Sequence, residues 1–507
     1  HFLREYDNII YNGKFERGII KRRRIYEKQS KKIALCGIVN GNDCGKYRIA
    51  YDGKCGNNTY FDGDTVEQEW KFDFGASGTD AEDGYTLVTP DTNYVTNKEY
   101  GFLGIDEDSY KLGNRLDGFG NQKGQVIKLQ AGGGTGLNDA IGSVGEDSFG
   151  NAGDVYYPTR FALKADDEAY YRVRATVTTL DTTKDAEISL YTERKHPIFT
   201  DTKVEAGQTK TVEFSVRPTP IYYEKSEPKG TIADGMVNVC VAGKNSAIAS
   251  IEIQKVQEYP VFWVLGDSTV TDGNCSLPFF RLQNYTGVGT GLTKYLPRNY
   301  AMVNEGEGGL NAADNYHFNM VKDRIKAGDY LYVEYGHNHK SDGPAGYVSN
   351  LDKYYNACHS VGATLVIVSP IERINTFTDG AYQHTLDGFA TAGAQYVADK
   401  VTAGATDIAY VDLNSYSLDF YNKITTDNGG DSGAIKFYFQ TAKGGGTDQT
   451  HPNDAGAENL AYEFVKAAKA VTDETQKAAL APVVNNFTDE TPNLVSTEIT
   501  SLGAAPK

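Results

Sequence analysis

From about Val66 to Val256 polar and apolar side chains alternate with period two. The clearest runs are Tyr170 to Leu180 (YYRVRATVTTL), Thr211 to Val216 (TVEFSV), Met236 to Gly243 (MVNVCVAG) and Ser250 to Val256 (SIEIQKV). Such runs, separated by Gly, Asp and Pro clusters, predict half-buried antiparallel strands. Many short strands of this kind predict a β-sandwich or jelly roll. The stretch Trp70 to Tyr94 reads as its opening, with a long Gly-rich loop. The pattern changes after Pro260. Short apolar runs now begin at Val261, Ala301, Asp329, Thr364 and Ile408, and helix-like segments lie between them: 314–327, 347–362 and 388–401, with a last one over 455–470. This alternation predicts βαβ units, hence a parallel sheet with helices on both faces. The chain therefore divides into a basic, atypical segment 1–62, a sandwich 63–256 that helps hold substrate and does no chemistry, an α/β domain 257–472, and a weakly structured tail 473–507.

In a parallel sheet the working groups sit at the carboxyl ends of the strands. Here those ends carry Gly266-Asp267-Ser268, Asn304 to Gly309, Gly336-His337-Asn338 and Ser369-Pro370. Asp448 and His451 precede the last predicted helix in GGGTDQTHPNDAGA. A serine nucleophile needs a base, the base needs an orienting carboxylate, and the oxyanion needs fixed donors. Ser268, His451, Asp448, the Gly309 N–H and the Asn338 amide are the right groups in a workable order. Each has a plainer use. Ser268 could cap a helix, Asn338 could serve a turn, and Asn453 rather than Asp448 could cap the last helix.

Composition narrows the choice. The 507 residues carry a net charge of -17, which excludes a nucleic-acid partner that would need basic patches. No stretch has the roughly 20 apolar residues that span a bilayer. Many Tyr (35) and Gly (54) with few Met (3) suit a β-rich extracellular protein, so a secreted location is expected. The first 62 residues differ, with Lys21-Arg22-Arg23-Arg24 and Lys31-Lys32, and read as a poorly ordered stretch. The six cysteines show neither CxxC nor zinc spacing, and their even count permits a Cys275–Cys358 bridge without requiring it. His337, His339 and His384 read as a solvated or substrate-facing set, so no metal and no cofactor is expected. Gly287 to Leu292 (GVGTGL) follows no clear strand and reads as a loop, not a nucleotide site. The absence of G-x-S-x-G disfavours an ordinary α/β-hydrolase.

The strand-end blocks resemble those of the SGNH, or GDSL-like, hydrolases. The branch they are most similar to is the rhamnogalacturonan acetylesterases, carbohydrate esterase family twelve. GDSTV matches the first block and implies Ser268 as nucleophile. NEGEGGLN (Asn304 to Asn311) resembles the second and implies Gly309 in the oxyanion hole. EYGHNHK matches the third and implies Asn338, and DQTHPNDAGA implies Asp448 and His451. The resemblance spans about 259–472. It implies a flavodoxin-like three-layer α/β/α domain with five parallel strands, preceded by a sandwich that looks galactose-binding-like. The sequence departs from the family where Asp is usual after the third-block Asn (here His339) and where Arg-Ser is usual in the second (here Leu310-Asn311).

The implied activity is a serine esterase removing acetyl groups from plant cell-wall polysaccharide, pectin or rhamnogalacturonan first and acetylxylan second. An SGNH lipase or thioesterase, or a non-catalytic carbohydrate-binding protein, are the alternatives. Glu305 and Glu307 beside Gly309 would put negative charge at the pocket and disfavour an anionic chain. Oligomeric state is not readable.

Overall fold

A computed structural model describes residues 64–106, 119–120, 127–132, 140–144, 157–222, 231–232, 234–273, 275–276, 285–441 and 447–495. The basic segment 1–62 lies outside the described residues.

The period-two runs form two facing sheets. One has the order Thr209–Val216, Tyr170–Thr179, Ser246–Val256, Val66–Phe74, Thr86–Val88; the other runs His196–Val204, Ala186–Thr192, Met236–Lys244, Thr159–Lys164, Tyr100–Phe102. Inward side chains such as Phe72, Phe161, Val173, Ile188, Val239 and Ile251 make one buried core between them. The pairing is not wholly antiparallel, because Val66–Phe74 and Thr86–Val88 run parallel. The Gly-rich stretch between them is the crossover.

The α/β layer is built on five strands: β1 (Val261–Gly266), β2 (Ala301–Asn304), β3 (Tyr330–Glu334), β4 (Thr364–Val368) and β5 (Ile408–Val411). All pairings are parallel, in the order β2-β1-β3-β4-β5. β1 shows why the sheet is central. Phe262 and Val264 enter one apolar cluster; Val261, Trp263 and Leu265 enter another on the opposite face. Each of these five side chains is worth about 1.5–3 kcal/mol of burial. Asp329 fixes the strand's start, accepting from Val261 N at 2.8 Å and from Trp263 Nε1 at 2.9 Å. The chain reverses direction in sheet order between β1 and its neighbours β2 and β3. That is where an open α/β sheet offers a crevice.

Helices α1 (Leu351–Val361), α2 (Asp387–Thr402), α3 (Leu413–Asp427), α4 (Asp454–Lys469) and α5 (Glu474–Val484) surround the sheet. The expected helix 347–362 is broken into Gly343–Val348 and α1. The expected 314–327 is only Tyr316–Lys322, because Asp314 is spent on the Tyr316 and His317 N–H groups at its start. Gly287 to Leu292 is not a loop but the short helix Val288–Leu292. Its glycines permit close approach: a Cβ on Gly291 would lie 2.5 Å from the Ala457 carbonyl oxygen of α4. The tail also departs from expectation. Buried Leu480, Val483 and Phe487 seat α5 on the domain, and Tyr330 donates to Ala479 O at 2.9 Å. Cys358 is a buried free thiol, so the Cys275–Cys358 bridge is not formed.

Candidate active site

Gly266 ends β1 because nothing larger fits. A Cβ there would stand 2.6 Å from Val270 Cγ2 and 2.8 Å from Glu334 O. The turn that follows is made by Asp267, not by Ser268. Buried Asp267 accepts from Thr269 N and Thr269 Oγ1, both at 3.0 Å, and its carbonyl accepts from Val270 N at 3.0 Å. No helix starts here, so Ser268 is not a cap. Its hydroxyl is left for another partner.

That partner is His451. Ser268 Oγ lies 2.8 Å from His451 Nε2, and His451 Nδ1 lies 2.8 Å from Asp448 Oδ2. Asp448 Oδ1 also accepts from Thr450 N at 2.7 Å and His451 N at 2.9 Å, closing the turn that faces the ring toward the serine. Partial burial pushes the Asp448 carboxyl up, but His451 and the two backbone donors outweigh it and hold it down to about 2. An ionised Asp448 must accept, so Nδ1 carries the proton and Nε2 is free to take one from Ser268. Helix α4 is capped by Asn453, whose Oδ1 accepts from Gly456 N at 2.9 Å. Asp448 is thereby spared that duty.

The second strand-end loop adjoins the serine: a Cβ on Gly308 would lie 3.7 Å from Ser268 Cβ. Gly309 has φ 80°, a conformation that favours glycine. The N–H groups of Ser268 and Gly309 have no protein acceptor among the described residues. Asn338 Nδ2 donates one hydrogen to Leu310 O at 2.9 Å, which ties the third loop to the second, and its other hydrogen has no protein acceptor among the described residues. His339 strengthens that tie. Its Nε2 accepts from Ala312 N at 3.0 Å and its Nδ1 donates to Asp342 at 3.1 Å.

The three histidines grouped in the sequence have three different settings. His339 is buried in its clamp and His337 is buried beside Arg373, so neither is solvated. His384 alone is exposed, 3.1 Å from Asn414 Oδ1. No cluster of three metal-ligating side chains occurs among the described residues. Glu305 also departs from expectation. It is 6% exposed and faces the interior, where burial pushes its carboxyl up to about 7. Glu307 turns back on its own loop, accepting from Gly308 N at 2.5 Å. Of the two carboxylates expected at the pocket, Glu305 is thus withdrawn, whereas Glu307 stays half-buried and its charge acts on Tyr285 beside Ser268.

Two groups were not legible in the sequence. Tyr285 donates its hydroxyl to Ser268 O and sets its ring 5.3 Å from that of His451. Arg373 stands between the His337–Asn338 turn and the Asp448–His451 turn. Its Nε donates to His337 Nδ1 at 3.4 Å, and the next residue, Ile374, donates its N–H to Gln449 O at 3.0 Å. Its guanidinium has no carboxylate partner among the described residues. The adjacent Glu372 is spent on Thr385 N and Oγ1, Leu386 N and Asn414 Nδ2. Neither group belongs to a local motif; each is brought in by a loop.

From Gly309 an open groove of about 540 Å³ runs past Asn311, Asp314, Asn315, Tyr316 and Asn319. Tyr316 is 47% exposed in it.

No family model and no curated protein matches the chain. Solved structures similar to it include a Bacillus subtilis protein (19% identity, 79% of this chain and 98% of that one, TM-score 0.37). Others are the salicylyl-acyltransferase SsfX3 of a tetracycline biosynthetic pathway (14%, 61% and 82%, TM-score 0.32) and a variant of an acetyl xylan esterase from Geobacillus stearothermophilus (15%, 41% and 94%, TM-score 0.26).

Proposed function

We propose that the protein is a secreted carbohydrate O-acetyl esterase of SGNH type that acts through an acyl-enzyme. One observation carries this reading: a Ser268–His451–Asp448 relay with both contacts at 2.8 Å, together with the Ser268 and Gly309 N–H groups, which lack a protein acceptor among the described residues. Ser268 Oγ attacks the acetyl carbonyl while His451 Nε2 takes its proton. The oxyanion is held by Ser268 N, Gly309 N and the Asn338 amide. The C–O bond to the sugar then breaks, and His451 returns its proton to the leaving alkoxide. Water, deprotonated by the same nitrogen, hydrolyses the acetyl-serine and regenerates the enzyme.

The groove favours a polyhydroxylated leaving group over a fatty chain. Asn311, Asp314, Asn315 and Asn319 line it together with Leu310, Ala313 and the exposed face of Tyr316, an open and mixed surface, whereas a lipase or thioesterase needs an apolar acyl tunnel. The complete relay disfavours a purely binding role. Among polysaccharides, acetylated pectic chains come first and acetylxylan second, since Arg373 offers a guanidinium to a substrate carboxylate.

The test is acetate release from acetylated rhamnogalacturonan and from acetylxylan, with p-nitrophenyl acetate and p-nitrophenyl palmitate beside them. Both acetylated polymers and the short ester should turn over, and the palmitate should not. Arg373→Gln should lower the ratio of pectic to xylan kcat/KM by about tenfold, the worth of one charge-assisted pair of about 1.5 kcal/mol. An unchanged ratio removes the pectic preference. Turnover of palmitate alone removes the carbohydrate reading.

A further inference from the structure

The sandwich reaches into the site through one turn. Between strands Ala186–Thr192 and His196–Val204, the residues Glu193, Arg194 and Lys195 have φ of 26°, 25° and 68°. Three successive non-glycine residues in this region are unusual, and such backbone persists only where its surroundings demand it. The surroundings here are the two catalytic loops. Lys195, 1% exposed, donates to Asp454 Oδ1 at 2.7 Å and Thr286 Oγ1 at 2.7 Å. Asp454 follows His451 by three residues. Thr286 N in turn donates to Pro452 O at 3.1 Å, and its neighbour Tyr285 holds the Ser268 carbonyl. On the other side His196 Nε2 lies 2.9 Å from Asp272 Oδ2, with Arg194 at 3.8 Å. Asp272 follows Ser268 by four residues, and its Oδ1 accepts from Asn304 Nδ2 at 2.9 Å and Thr290 Oγ1 at 2.8 Å.

We propose that this turn of the sandwich is a positioning element of the catalytic centre, with Lys195 as the residue that holds the histidine loop against the nucleophile loop. Ser268 and His451 come from opposite ends of the α/β domain, and their contact depends on the spacing of two loops. The short helix Val288–Leu292 sets part of that spacing, since Gly287 N and Val288 N donate to Thr271 O and Thr269 O of the nucleophile loop and Gly291 abuts Ala457 of α4. The turn bridges both loops with buried charged groups. Such groups are costly to leave unpaired, so they tolerate few alternative arrangements. The sandwich is thus part of the machinery, not only a holder of substrate. The inference rests on the esterase reading for the identity of the reaction it supports.

The experiment compares Lys195→Met with Lys294→Met in the full chain. Lys294 is the control. It is equally buried at the same interface, but it pairs with Glu458 and Thr200, one turn further along α4. Both variants should lose Tm. Lys195→Met should lower kcat on p-nitrophenyl acetate about a hundredfold, with KM within about threefold, as expected for a misaligned base. Lys294→Met should keep kcat within about threefold. The second readout is the downfield proton resonance of His451 Nδ1–H, assigned by its loss in Asp448→Asn. Lys195→Met should broaden or shift it and Lys294→Met should not. Should Lys195→Met not fold, Thr286→Val, which removes the hydroxyl beneath Lys195, is read the same two ways. Equal kcat in the two lysine variants, or an undisturbed resonance, overturns the proposal. If the wild-type protein proves inert on every ester, the esterase reading fails by itself, and the resonance still decides the positioning role.

Discussion

Ser268→Ala should abolish ester hydrolysis, by about 10³- to 10⁶-fold in kcat, while the fold stays intact. The reason is local. The turn after β1 is built by Asp267 and by backbone donors, so deleting the Ser268 hydroxyl removes no turn contact. Stability should change by less than about 1 kcal/mol. No other nucleophile lies within reach of His451 Nε2 among the described residues. Circular dichroism and thermal melting check the fold, and p-nitrophenyl acetate turnover checks the chemistry. A variant within about tenfold of wild type would assign the hydrolysis to another residue.

Asp448→Asn should cost about 10⁴-fold in kcat with little change in KM. An Asn Oδ1 can still accept from Thr450 N and His451 N, so the turn survives. What changes is the partner of His451 Nδ1. An amide NH₂ facing that nitrogen makes it an acceptor, which moves the ring proton to Nε2, where the serine proton must go. The substitution should also alter acid stability. Asp448 is held below its ordinary value in the folded protein, so its contribution is present near neutral pH and is lost as pH falls from about 4 toward about 2. Thermal melts across that window should be steeper for wild type than for Asp448→Asn. Equal activity of the two proteins would mean that His451 is oriented by something else.

The central strands were legible because burial on both faces leaves continuous apolar runs, as in VFWVL of β1. Ser268, Gly309 and Asn338 were legible because parallel topology places chemistry at strand ends, and Asp448 with His451 because a three-residue offset can close a turn. The missing elements lacked a periodic signature. α3 reads LNSYSLDFYNKITTD, where Ser, Asn and Thr dilute a stripe formed by Leu413, Leu418, Tyr421 and Ile424. α5 itself buries only Leu480 and Val483, too few to rise above its polar surroundings. Glu305 shows a different limit. Sequence placed it beside Gly309, but direction is set by packing, and its loop sends it inward. Contacts between the sandwich and the catalytic loops, such as Lys195 to Asp454, join residues 259 positions apart, and no local pattern announces them.

The most direct test of the account is to trap its intermediate. The protein is mixed with excess p-nitrophenyl acetate, quenched in acid within the first turnovers, digested and weighed by mass spectrometry. The account predicts one acetyl group on the peptide containing Ser268, with a matching burst of p-nitrophenol, and neither in Ser268→Ala. Steady hydrolysis with no acetylated Ser268 peptide, or an acetyl group on another residue that turns over at the catalytic rate, would contradict it.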